Sequence, residues 1–416
     1  MEKIDRIKDF YFEHKFLIDC VILSVLFFAN TFIPNFTYIS FSFLFFLVLT
    51  TNLKYTLSYL FFSGAFCAIT MPSSIILFLV CVVIYLVRFC YNKFFIEKHK
   101  FDKVVLKLTV IYVVFLLFPF KNIYDFHLII SVLFLVLVLF IFYLIINFAA
   151  DFNIKINIRL LGYGLLISSI FAIFCNFVAP GLRSIGFEGN PFRFMALFFN
   201  PNGLAVTCEL SIGILAYFIC ANKFNKRDVF AFIIFAVIGI TSASKTYLIL
   251  LALVLFLMFI FNVKKVSKQS WCFIGVLVIA AIVFVIVKFD VVLSMLNRFA
   301  RLDVTGVNSN QFLNKLTTTR FDLWVGYIGY LLDNPWAIFF GRGLSAPIIG
   351  DAKPHNVYLS AIYKTGIVGA ALLIAIIIFM LKRAKKDGKL NVTKAIIIPL
   401  MVCALLACIE DLIFHI

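Results

Sequence analysis

Ile129–Phe148, IISVLFLVLVLFIFYLIINF, decides the fold class. A barrel strand alternates between lipid and lumen at every second residue. This run does not alternate; it is apolar on every side. At 1.5 Å per residue its 20 residues match the roughly 30 Å hydrocarbon core of a bilayer. Within that core each backbone N–H and C=O must be satisfied by the chain itself, which a helix achieves locally. The implied class is all-α, a polytopic integral membrane protein.

The rest of the chain agrees. Of 416 residues, 64% are hydrophobic and 14% charged. A soluble domain is about 45–50% apolar and about 25% charged, since its surface faces water. This chain cannot cover itself with polar groups, so lipid is the solvent for most of it. The formal net charge of +17 reads as cations flanking membrane spans, which fix orientation, and nucleic acid is not an expected partner. Cys20, Cys67, Cys81, Cys175, Cys208, Cys272, Cys403 and Cys408 sit inside apolar runs, and no CxxC pair occurs. They read as small hydrophobes rather than a disulfide framework or zinc site.

Candidate spans are 16–32, 36–51, 55–70, 73–90, 104–120, 128–149, 159–179, 202–221, 229–242, 246–262, 271–288, 357–381 and 394–414. The runs 36–51, 55–70 and 229–242 fall short of the roughly 20 residues a crossing needs, so they are tilted hairpin partners or partly re-entrant. The expected count is 12–13 transmembrane helices, with 1–416 a single transmembrane domain. Residues 1–15 mix Lys3, Arg6, Lys8 and Lys15 with Ile4, Ile7, Phe10, Tyr11 and Phe12, a pattern for a short interfacial helix before the first span. That span lacks a small-residue cleavage site and reads as a retained anchor.

With the N-terminus inside, the loops bearing Arg88–Lys103, Lys155 and Arg159, Lys223–Arg227, Lys264–Lys268 and Lys382–Lys389 all fall on the cytoplasmic side. That agreement is what the positive-inside rule requires. Two stretches fall outside and still carry cations: 180–201, with Arg183 and Arg193, and the long loop 289–356, with Arg298, Arg301, Lys315, Arg320, Arg342 and Lys353. A loop this long is uncommon unless functional. Within it, Thr318 or Thr319 can cap a helix running to about Asp333, with Phe321, Trp324, Ile328 and Leu331 as its apolar stripe and Asn334-Pro335 as its stop. An amphipathic helix on the outer leaflet or over the bundle mouth fits this pattern.

Five constellations carry polar chemistry. Arg193-Phe-Met-Ala-Leu-Phe-Phe-Asn200-Pro201-Asn202-Gly203 stands where a span begins. Pro201 or Asn202 serves a helix start, whereas a guanidinium there calls for an anionic partner. Ser242-Ala-Ser244-Lys245 is a polar turn or a phosphate cradle. Arg320 opens the loop helix beside Asp322, as an anion site or a surface ion pair. Gly341-Arg342-Gly343 is followed by His355-Asn356 at the next span. His14, His99, His127 and His415 fall in cytoplasmic segments, short loops or chain ends, which leaves His355 as the candidate base among arginines. Glu410-Asp411 close the last span, facing the bundle or neutralising an arginine. The polar residues concentrate at one face, with few ionisable groups at mid-span positions. The gathered cations suit a lipid-linked di-anion such as a pyrophosphate. No DxD and no His/Cys/Asp ligand spacing occurs, so neither metal nor cofactor is expected, and arginines take the charge-stabilising part.

In this order, Arg193…Asn200-Pro-Asn202, Ser242-Ala-Ser244-Lys245, Arg320…Trp324…Asn334-Pro335…Gly341-Arg-Gly343…His355-Asn356…Gly366 resembles the O-antigen ligase and polymerase family, which includes Wzy-type polymerases and WaaL-type ligases. The resemblance covers roughly residues 180–381. It implies a metal-independent glycosyltransferase of the bacterial cytoplasmic (inner) membrane, acting at its outer face. The implied partners are undecaprenyl-pyrophosphate-linked glycan donor and acceptor, with a flippase and a chain-length regulator as protein partners. It further implies that Arg193 and Arg320 neutralise the pyrophosphate and that His355 activates the acceptor hydroxyl. Ser244, Arg342, Asn202, Asn356 and Glu410 then line the substrate region. Lys245 stands where the family commonly has arginine; it keeps the charge and loses the bidentate fork. Polymerase comes first because it serves more envelope types; ligase transfer to lipid A core is the alternative. A lipid-linked glycan flippase is the alternative of another class, and a binding scaffold would not need His355 beside arginines.

Overall fold

The computed structural model describes residues 2–33, 36–66, 72–117, 126–148, 151–178, 194–198, 201–221, 225–242, scattered positions between 247 and 275, 320–344, 349, 354 and 356–386. Helices dominate, and no strand is found among the described residues. α1 (Glu2–Phe32) is one continuous helix. The expected separate interfacial helix at 1–15 is therefore merged with the first span. No Gly or Pro interrupts residues 2–32, so nothing breaks the hydrogen-bond ladder. α2 (Phe36–Thr50) and α3 (Leu53–Gly64) follow, joined through Asn52, whose side chain accepts from the Lys54 N–H at 3.1 Å and caps α3. At 12 residues α3 is about 18 Å long, too short to cross alone. α4 (Pro72–Cys90) runs on into a π-helical turn, Tyr91–Ile96.

Next come α5 (Lys103–Leu117), α6 (Phe126–Phe148), α7 (Ile154–Val178), α8 (Pro201–Ala221) and α9 (Lys226–Thr241). The loop and following span supply α10 (Arg320–Asp333), α11 (Pro335–Phe340) and α12 (Val357–Lys386). Five described helices are long and apolar enough to cross a membrane: His14–Phe32, Ile76–Ile96, Ile154–Val178, Gly203–Cys220 and Val357–Lys382. The protein is an all-α, multi-pass membrane protein. Expected spans at 246–262 and 271–288 lie largely, and 394–414 wholly, outside the described residues.

The helices gather into two compact units built from interleaved segments. One comprises Met1–Lys100, Ala150–Leu215 and Asn225–Ser244; the other Phe101–Ala149, Ala216–Phe224 and Lys245–Ile416. In the first, α3 lies against α7 at Gly164, where a Cβ would meet the Phe62 carbonyl at 2.6 Å. The Ser58 hydroxyl donates to Asn157 at 2.8 Å in the same contact. Arg88 donates to the Val48 and Thr51 carbonyls at the end of α2, where a helix leaves its last carbonyls unpaired. Asp228, fully buried in α9, is held by Lys155 at 2.7 Å and Arg159 at 2.5 Å. In the second unit α12 packs along α5 and α6 and carries α11.

A few ionisable groups occur inside the candidate spans: Asp19, Glu209 and Lys364 are all buried. Asp19 accepts from the Tyr59 hydroxyl at 2.6 Å, and the Lys364 ammonium donates to the Leu344 carbonyl at 2.7 Å. The described cysteines are free thiols, Cys20, Cys81, Cys175, Cys208 and Cys220 being buried.

Candidate functional site

The second unit builds the loop region from α10 upward. Arg320 is the first residue of α10, with Asp322 in the same first turn. One turn on and on the same face, the Trp324 indole N–H donates to the Pro354 carbonyl at 2.6 Å. A turn later again, the Tyr327 hydroxyl accepts from the Ile349 N–H at 3.2 Å. The returning chain is thus clamped along α10, with Pro354 held at Trp324, one turn from Arg320. Asn356 caps α12, its side-chain oxygen accepting from the N–H groups of Tyr358 at 3.0 Å and Leu359 at 3.1 Å. His355 stands between these two residues in sequence and is itself outside the described residues.

The apolar stripe differs from the expected one. Tyr327 and Leu331 are buried and Trp324 is half-buried, while Ile328 is exposed. The tyrosine enters the core because its hydroxyl has the Ile349 N–H to bond. Tyr327 and Tyr363 meet edge to face with ring centroids 4.9 Å apart, and Ala337 completes the core. Asn334 does more than stop α10. Its amide donates to the Tyr330 carbonyl at 2.9 Å, closing α10, while Pro335 starts α11 at once.

Gly341-Arg342-Gly343 docks on a break in α12. Gly366 lies at φ +67° and ψ −179°, which interrupts the helical ladder. The N–H groups of Arg342 and Gly343 reach the Tyr363 and Lys364 carbonyls at 2.8 and 2.9 Å. Lys364 answers with its ammonium on the Leu344 carbonyl. Gly341 and Gly366 face each other so closely that a Cβ on either would enter the other strand's backbone. With its backbone so fixed, Arg342 directs its side chain over the Tyr330 ring, 4.8 Å from the centroid, and toward the Tyr363 hydroxyl at 3.4 Å. Guanidinium has five N–H donors in a planar fork, so this exposed group has capacity for an anion.

The structure therefore fixes the flanks of His355, with Pro354 on Trp324 of the helix that Arg320 opens and Asn356 capping α12, and it places Arg342 separately, against Tyr330 and Tyr363. Arg193, Ser244, Lys245, His355 and Glu410 lie outside the described residues, as do Thr318 and Thr319. Asn202 is in the first turn of α8, and its side chain is outside the described set. Lys364 and Glu209 escaped the sequence reading. Each was marked only by a charge in an apolar run, in Tyr-Lys-Thr-Gly and Thr-Cys-Glu-Leu-Ser.

Over residues 229–374 the chain matches the O-antigen ligase family. The matched stretch contains Arg320, Arg342, His355, Asn356 and the broken α12; Arg193 and Asn202 precede it and Glu410 follows it. The match supports the O-antigen ligase/polymerase family, and with it a ligase or polymerase role in O-antigen synthesis on lipid-linked glycan in a membrane. No curated protein and no solved structure matches the chain. If the matched stretch carries out glycan transfer, the Trp324 clamp would position the residues that perform it. Trp324→Phe keeps the ring and removes the indole donor, so about 1 kcal/mol of stability is expected to go. Glycan transfer should fall by about tenfold, since even ~1 Å of misplacement costs up to ~10²-fold. Initial rates set against thermal stability of the purified variant check this, and an unchanged rate sinks the clamp.

Proposed function

We propose that the protein is a polysaccharide polymerase that joins undecaprenyl-pyrophosphate-linked repeat units at the outer face of the bacterial cytoplasmic membrane, with its N-terminus inside. The observation that supports the reading is that, within the stretch that matches the family, the flanks of His355 are fixed by Trp324 on the helix that Arg320 opens and by the Asn356 cap, while the turn bearing Arg342 is docked on the broken α12. In this mechanism the acceptor sugar hydroxyl attacks the anomeric carbon of the donor glycan. His355 takes its proton, the glycosidic bond to the lipid pyrophosphate breaks, and Arg193 and Arg320 stabilise the departing charge. Arg342, Lys245, Ser244, Asn202, Asn356 and Glu410 hold the glycan and phosphates. A direct displacement of this kind inverts the anomeric configuration, and it runs without a metal because the guanidinium groups supply the positive charge.

The family's description as a ligase favours a second reading, in which the acceptor is lipid A core. Both readings transfer glycan; a flippase does not. The decisive experiment gives the purified chain lipid-linked repeat units alone. Long polymer is the expected product. Its absence, together with transfer once lipid A core is supplied, makes the protein a ligase. In cells the two losses differ on a gel: one repeat on the core for a lost polymerase, unattached long polymer for a lost ligase.

A further inference from the structure

α10 carries more apolar surface than the protein covers. Beside the buried stripe runs a second one, Val325, Ile328 and Leu332, which is 51%, 48% and 68% exposed. α11 extends it: Trp336 is 77% exposed and stacks on Phe340 with centroids 6.0 Å apart, and Phe339 is half-exposed. At 100° per residue, Asp322 and Asp333 occupy the remaining side of α10 with Gly326 and Gly329, and both carboxylates are exposed. One helix therefore divides its perimeter among protein, water and a third, apolar surrounding.

α12 identifies that surrounding. α11 ends against Gly366, where the Phe339 carbonyl and the Gly341 N–H crowd the α-carbon. From Gly366 to the basic end at Lys386 the helix is on the order of 20 residues, about 30 Å, a full hydrocarbon thickness. Along it Ile367, Val368, Ile374 and Ile378 are exposed, as residues facing acyl chains are. Before Gly366 come a buried lysine and threonine, Lys364 and Thr365, which belong beyond the hydrocarbon rather than within it. Trp336, Phe339 and Phe340 lie level with this boundary, the depth at which aromatic side chains collect. The exposed stripe of α10 continues from them without a cation.

We infer that the Val325–Phe340 face of α10 and α11 rests in the upper acyl chains of the leaflet opposite the Lys382–Lys386 end, and that α12 crosses the membrane from Gly366 rather than from Val357. The occupant of the face is bilayer lipid. The half-helix Val357–Thr365 and the turn bearing Arg342 then stand at headgroup level, whichever transfer reaction the protein performs.

The test uses the full chain reconstituted in phosphatidylcholine vesicles whose acyl chains are brominated close to the carbonyl end. Tryptophan fluorescence should be quenched relative to unbrominated vesicles. Trp336→Phe removes one of three tryptophans and should take most of the shallow-bromine quenching with it. Leu332→Trp in that background should restore it. Two results overturn the inference. A Trp336 contribution quenched by aqueous iodide and not by bromine puts the face in water. A contribution reached by neither quencher puts it against protein, such as a second copy.

Discussion

Gly366→Ala is expected to cost on the order of 4–5 kcal/mol, a magnitude that single substitutions reach only through a specific structural conflict. The position is at φ +67°, where an L side chain pays roughly 1–2 kcal/mol. Its Cβ would also enter the space of the Phe339 carbonyl and the Gly341 N–H, neither of which is the movable end of a side chain. The turn must then lift from α12. Lifting breaks the bonds from Arg342 and Gly343 to the Tyr363 and Lys364 carbonyls, each worth about 1 kcal/mol net. Gly341→Ala meets the same contact from the other side, at the Lys364 carbonyl, so the double substitution should cost less than the sum. Gly329→Ala is the control. Nothing lies within 4 Å of its would-be Cβ, and alanine gains up to about 1 kcal/mol in helix propensity. The measurement is the fraction of detergent-solubilised protein that remains monodisperse after heating. A Gly366→Ala protein that melts with wild type would show that the break in α12 does not depend on glycine.

The glycines also show what the sequence could and could not disclose. Helix existence was legible because lipid imposes one answer on a run such as Ile129–Phe148, and α6 spans Phe126–Phe148. The loop helix ending at Asp333 was legible from its periodicity and from Asn334-Pro335. Its buried face was not, because Phe321, Trp324, Ile328 and Leu331 satisfy the same spacing as Trp324, Tyr327 and Leu331, and hydropathy ranks isoleucine above tyrosine. Only the Ile349 N–H facing the Tyr327 hydroxyl decides between them, and that pairing joins residues 22 apart in the chain. The glycines of Gly341-Arg-Gly343 are visible in the sequence, yet the close partner at Gly366 was invisible to periodicity. An apolar run with one glycine looks like an ordinary span. Lys364 was hidden for the same reason: a charge in such a run has no local mark of whether it meets lipid or a carbonyl.

The largest loss of activity is expected from His355→Ala. Proton removal by a positioned base contributes typically ~10²–10⁴ to a rate, and transfer from a lipid-linked donor should fall by about that factor. The chain that carries His355 is pinned on both sides, by the Trp324 bond to Pro354 and by the Asn356 cap of α12. Substituting the imidazole touches neither, so the variant should insert and melt as wild type does. Arg320→Ala should lose ~10²–10³-fold through the leaving pyrophosphate. Arg320→Lys should recover only part of that, since a point charge lacks the planar fork. Arg193→Ala should resemble Arg320→Ala. If base and arginines serve one transition state, His355→Ala combined with Arg320→Ala should cost far less than the product of the two single losses. Asp322→Asn should change the rate little, because this carboxylate is exposed in the first turn of α10 and pairing at an exposed site contributes about 0–1 kcal/mol. These comparisons rest on initial rates with purified donor and acceptor, matched for inserted protein. Wild-type rates in His355→Ala would remove the base from the mechanism and leave the arginines as a binding site alone.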